Sequence, residues 1–184
     1  MMFDLMIIFT FQSIYGYVFS WIGILVASFM AGAASGALLI TTILGRIKHH
    51  FKIFKIIELA IICFSIAFLF VFLAMPTNTD DPEVFFLFKM LFLSLSFISG
   101  FLTGSQFPLA NKLYLENGTN LSQTAGLLYA SDLLGGWLGG IIGAVVLLPV
   151  LGLTGTCLTV ALLKLTSFTV ISTQPARHLL GREK

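Results

Sequence analysis

Charge is what this chain has least of. Aspartate, glutamate, lysine and arginine together make up 10% of its 184 residues, while 58% are apolar; a soluble domain averages roughly 25% charged residues. Mean hydropathy is +1.02. A water-soluble fold of this size could not cover so much apolar surface with so few charges, and the lipid bilayer is the solvent that resolves the mismatch. The net charge of +2, with no dense basic run interleaved with aromatics, excludes nucleic acid as a partner. Histidine is scarce too. His49, His50 and His178 all lie outside the apolar runs, so no pair can serve as axial ligands to a membrane haem. The two cysteines, Cys63 and Cys157, stand far apart in apolar stretches. They form neither a CxxC pair nor a disulfide framework and read as small buried apolar side chains. HExxH, GxSxG, Cys/His clusters and glycine-rich phosphate loops are all missing. The expectation is a chain with no catalytic residues, no cofactor and no metal site, and not an enzyme. The start, Met1-Met2-Phe3-Asp4, lacks a basic n-region, and no small-residue cleavage site follows, so no cleavable signal peptide is expected.

What is present is a series of long apolar runs. A spanning helix needs about 20 mostly apolar residues. Five segments qualify, at about 18–44, 53–75, 84–110, 124–150 and 155–171. The expected fold is all-α: a polytopic transmembrane helix bundle of five full spans in a single membrane domain, 1–184. Residues 1–17 hold a shorter apolar segment, read as a truncated helix, an interfacial helix, or the tail of a helix that another chain completes. Residues 172–184 form a tail. The connections alternate in charge. Residues 45–55 carry Arg46, Lys48, His49, His50, Lys52 and Lys55; residues 76–83 carry Asp80, Asp81 and Glu83 and no base; residues 111–123 carry Lys112 and Glu116; the tail carries Arg177, His178, Arg182 and Lys184. By the positive-inside rule the first, third and last of these are cytoplasmic, as in a protein of the bacterial inner membrane. Tyr15, Tyr17 and Trp21 then fall at the outer interface, where amphipathic rings are favoured.

Within the spans, glycines recur four apart: Gly32 and Gly36, Gly100 and Gly104, and Gly135, Gly139 and Gly143. Residues at that spacing share a helix face, so each set offers a groove for close helix packing. Pro108 removes a backbone hydrogen bond and is expected to kink its helix, with Ser105 and Gln106 satisfying the freed groups or lining a cavity. Four ionisable residues, Glu58, Lys89, Asp132 and Lys164, lie in the spans, where such groups are expensive and face a partner, the bundle interior or water. Lys89 is near enough to its span's end to snorkel. Glu58 follows Lys55 by one turn and can pair with it locally. Asp132 and Lys164 lie deeper. If spans four and five form a hairpin turning near 150–155, Asp132 is about 27 Å and Lys164 about 15–18 Å from the turn at 1.5 Å per residue. The lysine stem closes most of the gap, so the two are expected to pair, as a register-fixing ion pair or as a proton- or substrate-linked site.

Three stretches, taken in order, resemble one family. They are residues 11–17 (FQSIYGY) with 28–36 (SFMAGAASG), residues 100–110 with FPLA at 107–110, and residues 126–153 with YASDLLGG at 129–136. They are similar to the membrane region of fused, spermidine-synthase-like multi-spanning proteins, itself like half of a major-facilitator bundle. The resemblance covers roughly residues 11–172. It implies a soluble aminopropyltransferase-like domain that this sequence does not contain, so aminopropyl transfer does not carry over. Three functional readings follow. The chain is a non-catalytic membrane subunit that anchors or scaffolds a larger assembly, with the bilayer and other membrane chains as partners. Alternatively it is half of a major-facilitator-like solute transporter, or the membrane half of a split spermidine-synthase-like protein.

Overall fold

The computed structural model describes residues 2–16, 19–44, 50–73, 82–115 and 121–173, and all the elements among them are helical. In chain order they are α1 (Met2–Tyr15), α2 (Phe19–Leu44), α3 (His50–Leu73), α4 (Pro82–Leu115), α5 (Leu121–Ile141), a π-helical stretch (Ile142–Leu147) and α6 (Leu148–Thr173). Among the described residues, four helical segments are long and apolar enough to cross a membrane. The chain is therefore a helical integral membrane protein.

The expected count of five spans is not matched. The two segments expected at 124–150 and 155–171 join into one apolar helical stretch, Gly126–Val170, of 45 residues. The expected hairpin turn near 150–155 does not form as a loop, and Pro149 lies just ahead of it within the helix. The helix loosens ahead of this proline: the Leu148 N–H donates to the Gly143 carbonyl, five residues back. This wider turn makes room for a proline ring that would collide with the carbonyl four residues earlier in a tight α-helix. The break in dihedral angles falls at Gly152, with φ 66° and ψ −176°. Only glycine adopts that region without strain. Gly152→Ala is therefore expected to destabilise the protein by about 1–3 kcal/mol, read as a lower midpoint in detergent-driven unfolding.

Contacts between helices give their relative directions. Ser65 Oγ donates to the Cys157 carbonyl at 3.3 Å, and Glu58 meets Lys164 at 3.3 Å. Seven residues forward on α3 correspond to seven residues back on α6, so these two helices are antiparallel. On α1, Cys157 Sγ lies 3.8 Å from Met6 Sδ, and the Phe11 ring packs edge-on against Phe92 of α4 at 5.7 Å. α2 and α4 rise together: the glycines Gly32 and Gly36 meet Phe97 and Phe101, in that order.

Among the described helices, α2 and α4 pack the most closely. A Cβ on Gly32 would overlap the Phe97 carbonyl oxygen, one on Gly36 that of Phe101, one on Gly100 that of Phe29, and one on Gly104 that of Ala33. Each helix thus seats its neighbour's carbonyls in the space its own side chains vacate. Two serines add hydrogen bonds across the same seam, Ser28 Oγ to the Leu93 carbonyl at 3.0 Å and Ser96 Oγ to the Leu25 carbonyl at 2.8 Å. In a membrane such bonds average about 0.6 kcal/mol each, so van der Waals contact between backbones carries most of the association. α4 continues through Pro108 as one helix of 34 residues.

The short N-terminal segment contributes one face to the core. α1 packs against α2, α4, α5, the π-helical stretch and α6, with Phe9 and Ile14 left exposed. Met6, Ile7 and Phe11 are wholly buried. Their spacing puts them on one face, with Phe3 and Thr10 beside them. Thr10 spends its hydroxyl on the Met6 carbonyl one turn back, at 2.7 Å, which lets a polar residue sit in an apolar core.

Candidate functional site

Polar side chains converge where α1, α3, α4 and α6 meet. Glu58 on α3 is 3% exposed. Lys164 on α6 reaches its carboxylate at 3.3 and 3.4 Å, and Ser167, one turn further along α6, bonds Glu58 Oε1 at 3.5 Å. Spacing of three on α6 puts Lys164 and Ser167 on one face, and the antiparallel register of α3 and α6 brings that face to Glu58. Beside the ion pair is a recess of about 330 Å³. Lys164, Ser167, Thr103 and Gln106 supply its polar wall, and Met2, Phe3, Ile61, Val160 and Leu163 the rest. Thr103 donates to the Ser99 carbonyl at 2.8 Å. The Nε2 of Gln106 is buried without a hydrogen-bond partner, as is Oδ1 of Asp4, which follows Phe3 on α1.

This arrangement revises the expected pairs. Lys164 meets Glu58, not Asp132. The expected pairing assumed that the last two apolar segments lie side by side, whereas α6 packs along α3 and shares no such face with α5. Nor does Lys55 pair with Glu58: its ammonium sits over the Phe51 ring, 5.3 Å from the centroid. Lys89 lies over the Trp21 ring at 4.7 Å. Trp21 and Tyr15 join Phe11 and Phe92 in one aromatic cluster; Tyr17 lies outside the described residues. Ser105 does not reach the backbone carbonyl that Pro108 leaves without a donor. It donates to the Leu102 carbonyl at 2.8 Å. Gln106 lines the recess. His50, Lys52 and Lys55 belong to the first turns of α3, and Lys112 to the last turn of α4, rather than to loops. Arg46, Lys48, His49, Asp80, Asp81, Glu116 and the tail lie outside the described residues.

Asp132 stands apart. It is exposed on α5, three residues from Gly135, around which nothing lies within 4 Å. Leu133, Leu134 and Trp137 beside it are 55–62% exposed. The next two glycines of that series, Gly139 and Gly143, receive only the Met2 side chain. Among the described residues no three histidine, cysteine or acidic side chains gather as a metal site would require.

Sequence reading missed Asp4, Thr103 and Ser167. No local pattern marks them: Asp4 is one polar residue in an apolar run, and Thr103 and Ser167 look like their serine and threonine neighbours until the helix packing brings Thr103 and Ser167 to one recess. No protein-family model matches this chain, and neither a curated protein nor a solved structure shows detectable similarity to it.

Proposed function

We propose that this protein is a non-catalytic membrane subunit that assembles with another membrane chain through α5. One observation carries the reading. Asp132 is a carboxylate exposed on a helix whose surroundings are hydrocarbon. Exposed leucine is ordinary in that setting, but an exposed carboxylate is not. Gly135 beside it leaves room for a second helix backbone. The partner is a transmembrane helix that offers Asp132 a hydrogen-bond donor or a cation.

The helix directions support two finer points. Phe11 meets Phe92 and Met6 meets Cys157, while Met2 and Phe3 share the recess with Gln106 and Lys164, so α4 and α6 both run opposite to α1 and the chain has to return across the bundle between them. This favours α5 with the π-helical stretch as a fifth crossing, ending at the Gly152 corner. His50, Lys52, Lys55 and Lys112 then share one end with the close of α6. The positive-inside rule makes that end, and the C-terminus, cytoplasmic.

Extraction of native membranes into polymer-bounded nanodiscs tests the assembly. The chain is expected to migrate well above its 20.1 kDa. Asp132→Leu is expected to reduce the assembled fraction about tenfold, the effect of losing one intramembrane polar contact of ~1–2 kcal/mol. A lone wild-type monomer, or an Asp132→Leu chain that assembles normally, would contradict the reading.

A further inference from the structure

α5 turns two unlike faces outward. Leu133, Leu134 and Trp137 are bulky and 55–62% exposed, as suits a helix side that meets lipid tails. Asp132 and Gly135, three residues apart, share a different face, and both are exposed. Nothing lies within 4 Å of a Cβ added at Gly135, so a neighbouring backbone can come close there. A neutral donor and a cation can each answer a carboxylate, and depth separates them. At 1.5 Å per residue, Asp132 is about 16 Å and Gly135 about 21 Å from the start of α5. With that start on the cytoplasmic side, Gly135 lies toward the middle of the membrane and Asp132 about one turn nearer the cytoplasm.

A basic side chain inside a membrane lays its stem along apolar surface and sends its charge toward the nearer headgroups. On a helix seated at Gly135, a lysine at that depth carries its charge about 6 Å toward the cytoplasm, to the level of Asp132. Serine and asparagine are too short for that step. Either would have to leave its helix beside Asp132 itself, where the carboxylate side chain holds two backbones apart. Opposite charges in contact also leave no net charge in the hydrocarbon. A second copy of this chain does not supply the cation from its spans, because Lys164 is held by Glu58 and Lys89 lies over Trp21. We infer, given assembly through α5, that the partner is a different protein whose transmembrane helix carries one lysine or arginine at the depth of Gly135, with the charged group on Asp132.

Two measurements test the cation. The first uses nanodiscs drawn from native membranes. Asp132→Asn keeps a hydrogen-bonding side chain and removes the charge, and it is expected to reduce the assembled fraction about tenfold, as Asp132→Leu does. Normal assembly of Asp132→Asn beside failed assembly of Asp132→Leu would overturn the cationic partner and leave assembly through α5 standing. Normal assembly of both would remove both. An assembled species made only of copies of this chain would also overturn the cationic partner. The second measurement uses a defined probe, a synthetic leucine/alanine helix of about 22 residues with one central lysine. Labelled probe and labelled full chain are reconstituted together, and Förster transfer reads their association. Probes with central methionine or central asparagine are expected to associate about tenfold more weakly than the lysine probe. Gly135→Leu keeps the carboxylate but fills the approach, and should weaken the lysine probe by a similar factor. Leu134→Ala, on the other face, should not change it. Helical circular dichroism verifies that each variant folds. Equal association of the lysine and asparagine probes, or undiminished association of the lysine probe with Asp132→Asn, would overturn the assignment.

Discussion

Gly104→Ala is expected to destabilise the bundle by about 3 kcal/mol, the upper part of the range for overpacking. The added methyl group would overlap the Ala33 backbone carbonyl. A flexible side chain could swing aside, but a carbonyl within a helix cannot move without its helix. The substitution therefore pushes α2 and α4 apart along the whole seam. It also stretches the Ser28 and Ser96 hydrogen bonds that bridge it. Gly32→Ala, against Phe97, should behave in the same way from the other helix. Gly135→Ala is the control. Nothing lies within 4 Å of that position, and replacing glycine by alanine in a helix is neutral or favourable by roughly 0.5–1 kcal/mol. Steric trapping in bicelles measures all three. If Gly104→Ala matched the wild type, the two helices could not be in backbone contact.

The second large effect is expected at the ion pair. Glu58→Leu should cost about 3–5 kcal/mol, because it leaves the Lys164 ammonium without its carboxylate in an apolar setting. The double variant Glu58→Leu/Lys164→Met should recover most of that loss. Replacing both members of a buried pair by apolar groups is often neutral or stabilising. The coupling between the two positions, read from a double-mutant cycle, is the quantity to measure. A double variant as unstable as the sum of its singles would show that Glu58 and Lys164 do not act on one another. Asp132 supplies the contrast. Asp132→Leu removes a carboxylate from the exposed face of α5, and should leave the stability of the isolated chain unchanged or improved while weakening assembly.

Composition was enough to establish a helical membrane protein, because an apolar chain with so few charges has no other stable solvent. The glycine spacing of α2 and α4 was equally legible: a period of four is a property of one helix and survives any arrangement of its neighbours. The same period at Gly135, Gly139 and Gly143 shows the limit of that logic. The pattern marks a face that can be approached closely but does not name what approaches it, and here two of the three glycines receive only Met2. The ion pair was misassigned for a related reason. Sequence gives depth along each helix, and Lys164 has suitable depths available in more than one direction. Which carboxylate it meets depends on which helix lies beside α6. Connection length suggested α5, but packing placed α6 against α3. The recess was legible only in part: Pro108 pointed to a cavity at Gln106, but the rest of the wall comes from four helices that no local pattern brings together.

The burial of α1 bears on how the protein is made. At 14 residues, α1 is about 21 Å long, short of the ~30 Å hydrocarbon core. It is synthesised before every helix it touches, and its contact from Met6 to Cys157 spans 151 residues. During translation α1 can meet α2 and α4 first, but its seat is incomplete. Contacts of such long sequence separation form late and slowly. The docking of α1 is thus completed only once α6 is present, and a chain stalled before α6 is expected to leave Met6 without its Cys157 contact, a ready signal for quality-control proteases.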